Sequence, residues 1–379
     1  MPDVHSRFSP SASERLIRCP PSLKLGEEYG PEDASSDFAR EGTEAHSLCE
    51  YLLRTSLGET MEDPRPGFHY YSPEMQECAE GYRDEVLAIY ETLRQTCKDP
   101  VISVEQQVHF DEYVPGGFGT SDCVILGDGH MFVIDYKHGI GVPVSAEDNS
   151  QLKCYALGAY LAFSPLYEIT DISLVVYQPR LSNYSHWELT VESLLDWAET
   201  VLKPQAGLAL AGGGEYACGE WCRFCKAKAV CRKRAEENMA LARYDFKNPG
   251  RLDDDEINTI LGKVDRLVAW AGDVKDYALK KAVGGYAWSD WKLVEGRSTR
   301  KYTDETKVAE TVAAAGYDPY EKKLLSITAM EKLLGKQTFA SLLGSMVVKP
   351  EGKPVLVPKS DKRPEKINPR TDFEKETES

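Results

Sequence analysis

Four cysteines constrain this chain more than any other feature. Three stand close together as Cys222-x2-Cys225-x5-Cys231, and the fourth, Cys19 in Arg18-Cys19-Pro20, lies 203 residues before Cys222. A set divided in this way can act together only if the fold brings its late part back to its beginning. Thiolates are the ligands of iron–sulfur clusters and of structural zinc. A metal group shared by Cys19, Cys222, Cys225 and Cys231 would close a very long loop, which in chain-entropy terms is where a cross-link stabilises most. The rival reading of Cys19 is a small buried hydrophobe. Cys218 adds one more thiol beside the motif, and the remaining cysteines, Cys49, Cys78, Cys97, Cys123 and Cys154, read as core residues.

The bulk numbers set the frame. At 379 residues, the chain exceeds the size at which one core usually suffices. We expect a main domain over 1–235, a smaller helical and hairpin region over 236–347, and a Lys-, Pro-, Glu- and Ser-rich disordered tail over 348–379. No apolar run approaches the roughly 18–20 residues of a membrane span, and no secretory h-region follows Met1. A cytoplasmic location without a membrane partner is the expectation. Ten cysteines there speak for metal ligation over a disulfide framework. The net charge of −16 runs against contact with phosphates, but segment 218–234 is locally basic. Arg223, Lys226 and Lys228 are its candidate DNA contacts, with a solvated charged surface as the alternative.

Along the chain, Ser11-Ala12-Ser13-Glu14 fits a capping box opening a short helix before Pro20-Pro21, and residues 26–44 begin as a loop. Helical periodicity predicts helices over about 42–54 and 74–96. The pattern then becomes β-branched and partly alternating over 101–110. Strands near 121–126 and 131–136 flank the turn Gly127-Asp128-Gly129. A helix over 148–163, a buried strand over 172–178, a partner strand over 184–190 and a helix over 191–210 follow. This order predicts a mixed α/β core with helices packed on a central sheet. Further on, helices are expected to about 246, over 253–282, near 304–315 and over 328–344. Trp288 and Trp291 flank a hairpin reaching Tyr302, and these aromatics read as the core of a small C-terminal unit or, alternatively, as base-stacking platforms.

Within that core one group of residues has the chemistry of phosphodiester hydrolysis. Asp135 and Lys137 are two apart at a strand end and share a face. Asp122, across the hairpin, can reach the same point. Two carboxylates that meet repel each other unless a cation joins them, and a hard divalent ion such as Mg2+ or Mn2+ suits their oxygens. His46, in Gly42-Thr43-Glu44-Ala45-His46, would tilt that preference toward Mn2+. Gln151 and Tyr155 lie one helical turn apart on one face. Glu105 could assist the metal, but a solvated strand position is its first reading.

Together, His46, Asp122, Asp135-Tyr136-Lys137 and Gln151-x3-Tyr155 resemble the motifs of the RecB-like branch of the PD-(D/E)xK nucleases, over about residues 11–235. The resemblance implies a restriction-endonuclease-like core. It implies a metal held by His46, Asp122, Asp135 and the Tyr136 backbone carbonyl, with Lys137 catalytic and Gln151 and Tyr155 as the family's Gln-x3-Tyr pair. The cysteine pattern resembles the iron–sulfur subgroup of that branch, which includes CRISPR-associated and AddB-type nucleases. There, four cysteines hold a [4Fe–4S] cluster that ties the C-terminal end to the N-terminal helix. Zinc is the alternative occupant.

These readings converge on a divalent-metal-dependent DNA exonuclease, by resemblance of the phage recombination type that resects ends for a single-strand annealing protein. A homo-oligomer would fit such processive digestion. The competing classes are a non-catalytic DNA-binding or scaffold protein on a nuclease fold, and a nuclease processing CRISPR spacers.

Overall fold

The structure is a computed structural model that describes residues 6–30, 37–241, 252–295, 302–320 and 324–348. Its centre is one sheet of five strands in the order β1-β2-β3-β4-β5, formed by Val101–His109, Phe118–Gly127, His130–Tyr136, Asp171–Gln178 and Asn183–Thr190. Neighbouring strands are antiparallel except β3 and β4, which run parallel. A parallel pair needs a crossover, and helix α5 (Ser150–Phe163) supplies it. The β2–β3 hairpin closes on Asp128 and Gly129, both at positive φ (49° and 79°), the backbone that a tight two-residue turn requires.

Before the sheet come α1 (Ser13–Arg18), α2 (Ser22–Tyr29), α3 (Asp37–Ser56) and α4 (Pro73–Thr96). After it come α6 (Val191–Trp197), α7 (Lys203–Ala211), α8 (Arg232–Met239) and α9 (Asp254–Val283). Helices cover both faces, because the central strands are apolar on both sides. On one face Val124, Val133, Leu174 and Val176 pack with Leu152, Ala156 and Ala159 of α5. On the other, Cys123, Ile125, Ile134 and Tyr136 pack with Leu48 and Leu53 of α3 and with Met75, Tyr82 and Val86 of α4.

The chain divides into two compact units, residues 1–281 and 282–379, so the division falls at the end of α9 rather than near residue 235. In the second unit α10 (Glu305–Ala314), α11 (Ile327–Leu334) and α12 (Lys336–Leu343) are short, and Gly335 at φ 77° separates the last two. Phe339 is buried there, whereas Trp291 and Tyr302 are 81% and 71% exposed, so neither forms the expected core. No strand occurs between Trp288 and Tyr302 among the described residues, and 296–301 lie outside them. The tail expected from 348 falls outside them from residue 349 onward.

Two smaller expectations also change. The Ser11–Glu14 capping box does not form: a 3-10 turn over Pro10–Ala12 precedes α1, and Ala12, not a serine, stands at its N-cap. Ser13 instead faces Ser150 at the start of α5, with their hydroxyls 2.7 Å apart. The segment expected as a loop from residue 26 is helical to Tyr29 in α2.

Candidate functional site

The sheet register lines up three acidic residues. In β1 and β2 the pairs Val104↔Cys123 and Gln106↔Ser121 flank Glu105 and Asp122. In β2 and β3 the last pair, Cys123↔Ile134, leaves Asp122 opposite Asp135. The backbone ladder stops there, and the Tyr136 N–H donates to Asp122 Oδ2 at 2.7 Å instead. A side chain thus replaces a ladder partner where β2 and β3 part.

Helices bring the remaining groups. Helix α3 carries His46, whose Nδ1 lies 3.2 Å from Asp122 Oδ1 and whose ring meets Tyr136 edge-on at 5.4 Å. Helix α5 begins on Asn149, whose side chain caps it by accepting from the Gln151 and Leu152 N–H groups. Gln151 therefore starts the helix at the mouth of the site. Its Oε1 accepts from Lys137 Nζ at 3.4 Å, and its Nε2 donates to Tyr155 Oη at 3.1 Å. Lys137 Nζ lies 2.8 Å from Asp135 Oδ2. Gly119 lets β2 approach α5, since a Cβ there would stand 2.6 Å from Pro10 Cγ and 3.0 Å from Tyr155. His46, Asp122, Asp135, Tyr136, Lys137, Gln151 and Tyr155 all meet at this one place.

The electrostatics are those of crowded buried charge. Burial works against the His46 imidazolium, but Asp122, aided by Asp135, outweighs it and holds the ring at about 9. Burial also opposes the Asp122 carboxylate, yet His46, Lys137 and the Tyr136 N–H keep it below the usual carboxylate range. Asp135 is the reverse case: burial, with Asp122 beside it, raises it in spite of Lys137. The Lys137 ammonium loses hydration but is held charged by Asp135. Asp135 Oδ2 is fully buried and, despite the nearby ammonium, accepts no aligned hydrogen bond from the described residues. An orphaned buried carboxylate oxygen beside a second carboxylate and an imidazole is a donor set that fits a divalent cation.

A second layer fixes α3 against the end of β3. The buried His138 takes Tyr136 Oη at Nδ1 (2.9 Å) and faces Glu41 Oε1 of α3 at Nε2 (3.4 Å). Arg180, just after β4, reaches the same Glu41 oxygen at 3.1 Å and Glu74 of α4 at 3.2 Å. Burial and the Arg180 charge depress the His138 ring. His46 therefore sits on a helix whose Glu41, five residues earlier, is held by the Arg180 ion pair and faced by His138.

One member of this site is ranked too low by the sequence, where assisting the metal is only its second reading. Glu105 is half-buried, not solvated, and burial and Asp122 push its carboxyl up to about 8. Among the described residues, His46, Glu105 and Asp122 form the one group of three or more His, Cys, Asp or Glu whose ligand atoms lie within 4.8 Å of one another. Its signal in the sequence is a single acid in a β-branched run. Its place opposite Asp122 depends on the length of the β1–β2 connection, which periodicity does not reveal.

The cysteines converge separately. Helix α7 ends on Gly212 at φ 75°, and the chain turns back to the N-terminal helices. Lys24 Nζ donates to the Ala211 carbonyl at 2.9 Å, and the Ala217 N–H points at Cys19 Sγ at 3.5 Å. Cys19, Cys222, Cys225 and Cys231 then line one small cavity together with Arg15 and Trp221, and Cys218 is not among its lining residues. All ten cysteines are free thiols. Burial raises Cys19 and Cys225, and burial with Cys222 nearby raises Cys218 to about 12. Cys49, Cys78, Cys123 and Cys154 are buried as expected, while Cys97 is half-buried.

Three cations of the basic segment are ion-paired in the structure. Arg223 is paired with Glu220 at 2.7 Å. Lys228 is paired with Asp273 of α9 at 2.8 Å, and Arg234 meets the same carboxylate at 2.6 Å. Lys226 packs its Cβ near Gly26 and Gly30 of the α2 region.

A comparison of the sequence with protein families gives a match over residues 5–364, spanning both compact units, to a family described as protein of unknown function, DUF2800. The chain belongs to the DUF2800 family. Among solved structures, it is similar to one described as "Crystal structure of SSO0001", with 17% sequence identity, 49% of this chain and 95% of that chain covered, and a TM-score of 0.22. No helix of the described residues is long and apolar enough to cross a membrane.

Proposed function

We propose that this DUF2800 protein is a divalent-metal-dependent deoxyribonuclease of the RecB-like PD-(D/E)xK type, acting on DNA ends. The observation that carries the reading is the meeting of His46, Asp122, Asp135 and Lys137 around a buried carboxylate oxygen that lacks an aligned hydrogen bond. Asp122, Asp135, His46 and the Tyr136 carbonyl would hold Mg2+ or Mn2+. When bound, such an ion acidifies water and offsets charge gathering on the phosphate oxygens. Lys137, fixed by Asp135 and Gln151, keeps its proton and places a cationic donor where water attacks the phosphorus. Tyr155 holds Gln151 in that pose. The preference for ends and for a single-strand annealing partner comes from the motif resemblance alone.

We further propose that Cys19, Cys222, Cys225 and Cys231 hold a [4Fe–4S] cluster. A single zinc at about 2.3 Å from each sulfur would draw all four sulfurs within about 4 Å of one another. The cavity that the four thiols share offers four ligands to either group, and the choice of the cluster comes from the resemblance of the cysteine pattern to the iron–sulfur subgroup.

The test uses full-length protein purified without oxygen, linear and closed circular duplex DNA, and Mn2+ or Mg2+. Metal-dependent release of nucleotides from the linear form, lost on chelation and in Asp135→Asn and Lys137→Ala, is the expected result. Absence of hydrolysis in the wild type, or hydrolysis that survives both substitutions, overturns the assignment. A brown protein carrying about four irons per chain supports the cluster, and a colourless zinc-loaded one sinks it.

A further inference from the structure

Glu105 has a backbone that a strand residue does not ordinarily adopt. Its φ is 49°, in the left-handed region that disfavours side chains other than Gly, Asn and Asp. The residues around it are regular: the register from Val101↔Leu126 to His109↔Phe118 is continuous and omits only the Glu105–Asp122 pair. The consequence is visible in the packing. Val104 belongs to the core beneath α3 and α4, while Val108, an even number of residues later, belongs to the core beneath α5. Strict alternation would put both on one face. The strand therefore turns over at Glu105. Arg54 of α3 holds the turned segment by donating to the Val104 carbonyl at 2.7 Å.

The turn delivers a carboxylate to one place. Ligand atoms of Glu105, His46 and Asp122 lie within 4.8 Å of one another, and Asp135, drawn to Lys137, is not in that group. We infer that Glu105 is a direct ligand of the cation held by His46 and Asp122, a further member of the metal centre beyond those the motif resemblance supplies. This rests on the nuclease reading above for the existence of the centre. A carboxylate added on the β1 side, away from Lys137, leaves Asp135 to divide its oxygens between the cation and the lysine. Asp122, between Glu105 and Asp135 in the row, is the residue through which both sides of the centre are joined.

Mn2+ alone is the probe, with free ion counted by electron paramagnetic resonance during titration of the full chain. The variants are Glu105→Gln, Glu105→Gly and Asp122→Asn. Glutamine keeps the shape and removes the charge. Glycine accepts the φ of 49° without strain and removes the side chain, so it stays folded if glutamine does not. We expect both Glu105 variants to bind Mn2+ at least about tenfold more weakly, with melting temperatures no lower than wild type for the glycine variant. Mn2+ binding by Glu105→Gly within about twofold of wild type, while Asp122→Asn is weakened at least about tenfold, sinks the Glu105 assignment and leaves the metal centre standing. Failure of the wild type to bind Mn2+ overturns the centre and this inference together.

Discussion

The carboxylate centre and the cysteine cavity are built in opposite ways. In the first, the protein's own charges already face one another: His46 stands at 3.2 Å from Asp122 and Lys137 at 2.8 Å from Asp135. Its acids come from three consecutive strands of one sheet, so hydrogen-bonded registers set their spacing. In the second, Cys19 and the 222–231 segment are joined across the whole domain. The Lys24–Ala211 hydrogen bond at 2.9 Å helps to bring the two together, but the backbone contact to Cys19 itself, from the Ala217 N–H, is long at 3.5 Å. A centre assembled by adjacent strands is preorganised by the fold. A cavity assembled from distant parts of the chain depends on whatever its thiols hold.

This contrast is breakable, beginning with the largest effect. Asp122→Asn or Asp135→Asn should lower the rate of DNA hydrolysis by about a thousandfold or more while leaving the melting temperature close to wild type, because the sheet sets the backbone and asparagine keeps an oxygen for the Tyr136 N–H and the Lys137 ammonium. A rate assay on end-labelled duplex paired with thermal melts checks this, and a global loss of folding in both variants would erase the distinction between the two regions. Cys19→Ser should do the converse. It should remove bound iron and visible absorption and destabilise the domain by about 4 kcal/mol, the scale of a long-loop cross-link. Cys218→Ser should keep the bound iron and cost less stability than Cys19→Ser, since Cys218 lies beside Cys222 but does not line the cavity. Metal analysis and denaturant melts on both variants decide the point.

Smaller effects sharpen the comparison. Asp273 joins α9 to the basic segment through Lys228 and Arg234. Burial opposes its charge, but the two cations hold its carboxyl below the usual range. A depressed carboxylate contributes stability above its unfolded value and loses it as pH falls through its folded value. Asp273→Asn should therefore cost about 2 kcal/mol at neutral pH and approach nothing in strong acid, as read by urea melts across pH. An equal cost at all pH values would show that the charge is irrelevant. The smallest expected effect is at Glu105. Replacement by Gly should stabilise by up to about 1 kcal/mol, since the left-handed backbone is strained for glutamate. A loss of stability there would mean that the side chain supports the fold rather than a cation.

Much of the fold is legible in the order of residues. The hairpin at Asp128-Gly129 is marked by its turn chemistry, and it sets Asp122 across from Asp135. The helices at 73–96 and 150–163 lie within a residue or two of where their periodicity puts them. Legibility fails where neighbours in space decide the outcome. Glu105 reads as a solvated strand residue because nothing local records that its backbone turns over. Trp291 reads as core because large aromatics usually are, yet it is exposed in the second unit. The ion pair of Lys228 is not legible either, because Asp273, its partner, is 45 residues further along the chain.

Residue types and short-range spacing determine which groups are available: an Asp-x-Lys at a strand end, a Gln-x3-Tyr on one helical face, thiols separated by two and five residues. These depend on bond geometry within one element, and the chain carries them whatever surrounds it. Tertiary structure alone decided that β3 and β4 run parallel around α5, that Glu41 and Arg180 clamp the helix bearing His46, and that Cys19 shares a cavity with Cys222, Cys225 and Cys231. Those outcomes arise from burial and charge pairing between distant segments, whose free energy exists only once the loops between them have closed.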